Sequence, residues 1–225
     1  MTDFLLSSFF IPVYFITWVI SMFTYKKYFD TVMRFFPIFI AYTFFTEILG
    51  YFITTYEDFS FFTEKEYSWH NVIIYNLYSF VTFLFFFWVY WKLVSSKKYK
   101  RTILFAAVCT LLSFIISAFL QDPMHTGLYF ADIIASYSLL LTIILYFKEK
   151  RKEGHPFVQK NNLMFWVSIG FFTFYLAFPH LYFVGFEMPE IWIKYHFRKV
   201  LQVFIVIMYI LFSIGLILGK RSHFK

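Results

Sequence analysis

The sequence predicts one all-α polytopic membrane domain over residues 1–225, a bundle of seven transmembrane helices with its N-terminus outside and its C-terminus cytoplasmic. Three observations predict it. Hydrophobic residues make up 60% of the chain and charged residues only 15%, where a soluble domain carries about a quarter charged. Seven apolar stretches follow one another, each long enough to cross a bilayer. The lysines and arginines alternate between the connections in the manner of a cytoplasmic and an external side. This composition excludes a soluble enzyme, a nucleic-acid-binding module, a secreted disulfide scaffold and a disordered tail.

The first segment, 4–24, follows Met1-Thr2-Asp3. That start has no positive n-region and no small-residue cleavage site follows, so the segment is expected to be retained rather than removed as a signal peptide. Pro12 lies in its middle and predicts a kink. The second segment, 35–54, has Pro37 in its first turn, where a proline costs little. The third covers 71–91 and the fourth 102–120. The single Cys109 falls inside the fourth and reads as a structural thiol. The fifth covers 128–147. The sixth, 163–184, contains Pro179, which frees the carbonyl of Tyr175 and bends the helix beside His180. The seventh covers 200–218. No segment carries a Gly-x-x-x-Gly pair, so close glycine-mediated helix contacts are not expected.

Charge orients the bundle. Lys26, Lys27, Arg34, Lys92, Lys97, Lys98, Lys100, Arg101, Lys148, Lys150, Arg151, Lys152, Lys160, Lys220, Arg221 and Lys225 fall on one side. Only Lys65, Lys194, Arg198 and Lys199 fall on the other. Short basic loops stay cytoplasmic. Most acids, such as Glu57, Asp58, Glu64, Glu66, Asp122, Glu187 and Glu190, lie on the second side. The formal charge of +7 is therefore a topology signal and not a footprint for nucleic acid. The connections are too short for a second domain. With no output domain after the seventh segment, a signal is expected to pass to a separate cytoplasmic or membrane partner.

The chemically informative residues are polar ones inside the segments. At 1.5 Å per residue, Glu47 lies roughly 10 Å inside the outer end of its helix, Asn76 roughly 8 Å, Asp132 and His180 roughly 6 Å and Gln202 roughly 3 Å. Thr43, Glu47, Gly50 and Thr54 share a helix face, as do Asn76, Ser79 and Thr82. Asp132 and Ser136 are one turn apart. Gln202, Tyr209 and Ser213 line up at helical spacing. The inner half holds little beyond the hydroxyls of Thr82, Ser113, Thr142, Ser168 and Ser213. Lipid penalises such groups, so these stripes face protein or water. They predict a polar pocket opening outward, floored by aromatics, in which Glu47, Asn76, Asp132, His180 and Gln202 bind a small ligand. Interhelical hydrogen bonding is the alternative role for the same residues. Arg198 and Lys199 stand where they would counter Asp132, bind an anionic group or snorkel to the interface.

Four histidines, His70, His125, His180 and His196, lie at or near the outer face. With Glu47 and Asp132 they make zinc a second expectation and a membrane hydrolase the alternative to a sensor. No His-x-x-x-His or His-Glu-x-x-His pair exists, so each ligand would come from a separate element. The leading reading has no cofactor. A proton- or ion-coupled carrier with Glu47 as its coupling carboxylate is a third reading, and the scarcity of inner-half polar groups counts against it. The seventh segment has no lysine at mid-depth, which argues against a retinal Schiff base.

The stretches Asn71-Val72-Ile73-Ile74-Tyr75-Asn76-Leu77-Tyr78 and Thr46-Glu47-Ile48-Leu49-Gly50-Tyr51 resemble a loose group of uncharacterised seven-helix inner-membrane proteins of Bacteroidota. The resemblance covers the second and third segments. It departs after Tyr78, where Thr82 stands near the place of an expected acid. It implies a multi-pass protein of a bacterial inner membrane.

Overall fold

The computed structural model describes residues 9–62, 71–152 and 161–220, and among these it is helical with no strand. Eight α-helices follow in order: α1 Ile11–Phe23, α2 Phe36–Thr55, α3 Val72–Leu93, α4 Lys97–Leu120, α5 Tyr129–Lys152, α6 Leu163–Glu187, the short α7 Pro189–Lys194 and α8 Phe197–Leu218. The six helices α2 to α6 and α8 are long and apolar enough to cross a membrane. Helix α1 is a shorter apolar helix over its 13 described residues. Large apolar side chains project outward, among them Ile16, Ile38, Phe105, Phe119 and Leu120. A water-facing surface would not carry so continuous an apolar cover. The chain is a multi-pass helical membrane protein.

Two helices extend past their apolar windows. Helix α4 begins at Lys97 and α5 continues to Lys152. In α5 the last turn holds Lys150, Arg151 and Lys152, and cations there offset the negative end of the helix dipole. Hydropathy therefore marks the segment that suits hydrocarbon and understates the helix. Pro12 does not kink the middle of a helix as expected: it sits in the first turn of the described α1. There its missing N–H is one that helix geometry leaves unpaired anyway. Pro179 does lie inside α6.

Helix α1 packs on α2 and α8, α8 on α6, α6 on α5, α5 on α4 and α3, and α3 on α4 and α2, which closes a ring. One expectation is overturned at the α6–α8 pair. A Cβ built on Gly170 of α6 would lie 2.9 Å from the Phe212 ring and 3.1 Å from the Met208 carbonyl. One built on Gly215 of α8 would lie 2.7 Å from Trp166 Cβ. One glycine on each helix brings the backbones together, and no spaced pair on either is needed.

One end of the bundle is rich in lysine and the other poor. Lys27 Nζ donates to the carbonyls of Ile217 at 2.7 Å and Leu216 at 3.4 Å, which satisfies the last turn of α8. Asn162 caps α6 by accepting from Met164 N–H at 2.9 Å. Lys100 lies over the Trp91 ring, 4.9 Å from its centroid. At mid-depth five rings from four helices meet edge to face. Phe39 contacts Phe86 at 4.9 Å, Phe86 contacts Phe171 at 4.2 Å, Phe171 contacts Phe212 at 5.0 Å and Phe212 contacts Phe36 at 5.5 Å. Pairs of this kind contribute about 0.5–1.5 kcal/mol each beyond their burial. They close the bundle below the site.

Candidate functional site

Above this aromatic plug the lysine-poor half encloses a cavity of about 340 Å³. On α3 its wall runs from Val72 to Phe83, a depth of about 16 Å at helical rise. The other walls come from Tyr14 of α1, Phe39 and Glu47 of α2, Asp132 of α5, and residues of α6 and α8. Helix α4 contributes none, because it packs outside α3 and α5.

The α6 wall is a column of rings at every fourth residue. Phe174, Phe178, Tyr182 and Phe186 all face the cavity, with successive centroids 5.2, 4.8 and 5.0 Å apart. A four-residue step keeps side chains on one helix face, so sequence spacing alone builds this wall.

Polar groups are set into the aromatic lining. Tyr75 Oη donates to Glu47 Oε2 at 2.9 Å. Thr43 and Tyr78 hydroxyls are 3.1 Å apart. Asp132 is 2% exposed, with Ser79 and Tyr182 beside its carboxyl. Even so, among the described residues Asp132 Oδ1, Thr82 Oγ1 and Tyr209 Oη make no well-aligned hydrogen bond, although the Tyr78 hydroxyl interacts with both Thr82 and Tyr209. All three residues line the cavity. Thr110 Oγ1 and Gln121 Oε1 are likewise unpartnered but belong to residues outside its lining. Buried polar atoms nearly always find partners. Three orphans converging on one space mark that space as the place of their partner.

Of the five residues predicted to form the site, Glu47, Asn76 and Asp132 line the cavity. Asn76 has its amide fully engaged, however. Its Nδ2 donates to the carbonyls of Pro123 at 2.8 Å and Thr126 at 3.0 Å, and its Oδ1 accepts from Leu128 N–H at 3.0 Å. It ties α3 to the α4–α5 connection. His180 is not in the lining. It is exposed on the outside of the bundle, with Nδ1 3.0 Å from the Leu176 carbonyl and Nε2 3.3 Å from Tyr137 Oη. Gln202 is buried next to the cavity-lining Leu201 without being part of the wall. Arg198, exposed at the start of α8, acts electrostatically on Glu47 and is not the counterion of Asp132.

The histidines do not gather. His125 pairs with Asp122 at 2.6 Å, His180 faces outward, and His196 is exposed in a left-handed conformation at the start of α8. His70 lies outside the described residues. Among the described residues no group of three or more His, Cys, Asp or Glu is placed to hold a metal ion.

Sequence reading placed Tyr209 in a polar stripe and missed the other cavity tyrosines. Tyr14, Tyr75, Tyr78, Tyr175, Tyr182 and Tyr209 all face the cavity. The signal was present in the spacing of Tyr75, Ser79 and Thr82, and of Tyr175 and Tyr182, which are three, four or seven residues apart. No family model, curated protein or solved structure matches the chain, so the site is read from its own geometry.

Proposed function

We propose that this protein is a non-enzymatic membrane sensor, or small-ligand-binding protein, whose ligand enters the aromatic cavity from the lysine-poor side. The convergence of the unpartnered Asp132, Thr82 and Tyr209 atoms on one cavity carries the reading. Its size falls in the range of small-molecule sites, about 300–1,000 Å³. The lysine-rich end reads as cytoplasmic by the positive-inside rule, and an inner membrane is the setting the resemblance implies. The cavity then faces outward. Pro179 lies inside α6 between the cavity-lining Phe178 and Tyr182, a place where occupancy would tilt the helix and reach a separate signalling partner. A coupled carrier is less favoured because hydroxyls below the plug are paired within the protein, Tyr90 with Ser168 at 2.8 Å and Thr17 with Ser213 at 2.9 Å.

The test is a screen of small amphipathic compounds by thermal shift in lipid nanodiscs, with the wild type beside a cavity-filling Ser79→Phe variant. Ligands are expected to raise the melting temperature of the wild type and leave the folded variant unmoved. Equal shifts in both proteins, or none across the screen, would remove the proposal.

A further inference from the structure

Building on that reading, we infer that the cavity selects an organic cation, an ammonium head on an aryl or alkyl body. Two acids, Glu47 and Asp132, line the space, and no Lys, Arg or His does so among the described residues. Arg198 acts on Glu47 from outside the lining. Among the described residues Asp132 has neutral groups beside it, Ser79, Tyr182 and Tyr175, and one carboxyl oxygen makes no hydrogen bond. A buried carboxylate is costly unless it is paired. The partner absent from the protein is therefore positive.

The aromatic lining points the same way. Tyr75, Tyr78, Tyr175, Tyr182 and Tyr209 line the same space as the acids, and the faces of aromatic rings attract ammonium groups. The remaining wall is apolar, built by the α6 column and by Leu201, Ile205 and Met208. It fits a hydrophobic body attached to the charged head. An anionic ligand would meet two carboxyls with nothing in the lining to offset its charge.

The experiment uses the full chain in phosphatidylcholine nanodiscs and three probes of matched shape: phenylbutylammonium, phenylbutanol and phenylvalerate. Binding is read by isothermal titration calorimetry against empty discs. The ammonium is expected to bind about tenfold or more tightly than the alcohol, as charge-assisted hydrogen bonding provides, and the carboxylate is expected not to bind. Asp132→Asn should abolish the preference for the ammonium over the alcohol. Glu47→Gln should weaken the preference less, since Tyr75 and Arg198 already act on that acid. The selectivity of the wild type is read without any variant, so misfolding of one would not obscure it. If the alcohol or the carboxylate binds the wild type as tightly as the ammonium, the charge class is wrong and the cavity remains a binding site. If none of the probes binds above the empty discs, both readings fall.

Discussion

Helix α5 carries two buried acids, one near each end, and they have opposite surroundings. Glu149 is 6% exposed, and its carboxylate accepts from the backbone N–H groups of Ser95 and Ser96, where the chain turns into α4. The positive end of the α4 dipole lies alongside. Asp132 is still more buried, yet faces an open cavity with an unpartnered oxygen. Glu149 closes the structure and Asp132 leaves it incomplete. Both are buried carboxyls on one helix, so burial and charge alone do not identify a site acid. The state of its hydrogen bonds does.

The largest effect should separate these two acids. Glu149→Ala removes the acceptor from two backbone donors and is expected to destabilise the protein by about 2 kcal/mol, seen as a lower melting temperature in detergent. Asp132→Asn is expected to leave stability within about 0.5 kcal/mol or to raise it, because an amide oxygen can still accept from Ser79 or Tyr182 and a buried charge is removed. Equal destabilisation by both changes would break the comparison.

Glu47 is an intermediate case, since one partner, Tyr75, holds it. Tyr75 reaches it across Gly50: a Cβ there would lie 2.4 Å from Tyr75 Oη and 3.3 Å from Asn71 Nδ2. Asn71 Nδ2 also donates to the Gly50 carbonyl at 3.0 Å. Gly50→Ala is expected to cost about 1.5 kcal/mol by overpacking. It should also weaken binding of a cavity probe, since Tyr75 is the group that must swing away. Loss of stability with unaltered probe affinity would show that the Tyr75–Glu47 bond plays no part in the site.

Smaller still are the orphaned hydroxyls. Thr82→Val and Tyr209→Phe each delete a buried oxygen that makes no well-aligned hydrogen bond. Both variants are expected to be neutral or more stable by up to about 1 kcal/mol, and to bind a polar cavity ligand less tightly. A clear destabilisation would mean that those oxygens hold the fold together.

Apolar length anticipated the long helices with ends up to five residues short at α4 and α5, because apolar length is what a bilayer demands of a helix. Sequence reading also singled out Glu47, Asn76 and Asp132, which line the cavity. Height is not direction, however. The cavity face of α6 is defined by Phe174, Phe178, Tyr182 and Phe186. His180 is two residues from both Phe178 and Tyr182, about 200° around the helix, and so points outward. Most of the tyrosine hydroxyls were hidden because the ring that makes tyrosine suit an apolar segment dominates any count of its polarity. Engagement was hidden too. Nothing in the spacing shows that Asn76 is saturated by the 121–128 connection while Asp132 on the next helix but one is not.

That connection provides the subtlest test. Asn76 holds it through Pro123, Thr126 and Leu128, and its shape depends on Asp122. Asp122 Oδ1 accepts from Met124 N–H at 3.0 Å, Oδ2 meets His125 Nδ1 at 2.6 Å, and the Asp122 carbonyl accepts from Thr126 Oγ1 at 2.7 Å. The His125 ring and the Met124 N–H favour the ionised form, so this exposed carboxyl titrates below the ordinary aspartate range. A carboxyl whose folded pKa is depressed adds stability at every pH above its unfolded value. That stability is lost as the pH falls through the folded value. Amide exchange protection of residues 124–128 is therefore expected to hold from neutral pH to about pH 4 and to fall only below it. Asp122→Asn should lower protection at neutral pH and flatten the dependence. Because the loop is tied to the wall of the cavity through Asn76, probe binding should change along with protection if the loop shapes the site. Protection that falls while binding stays constant would show that Asn76 anchors the loop without shaping the cavity, which would align it with Glu149 rather than with Asp132.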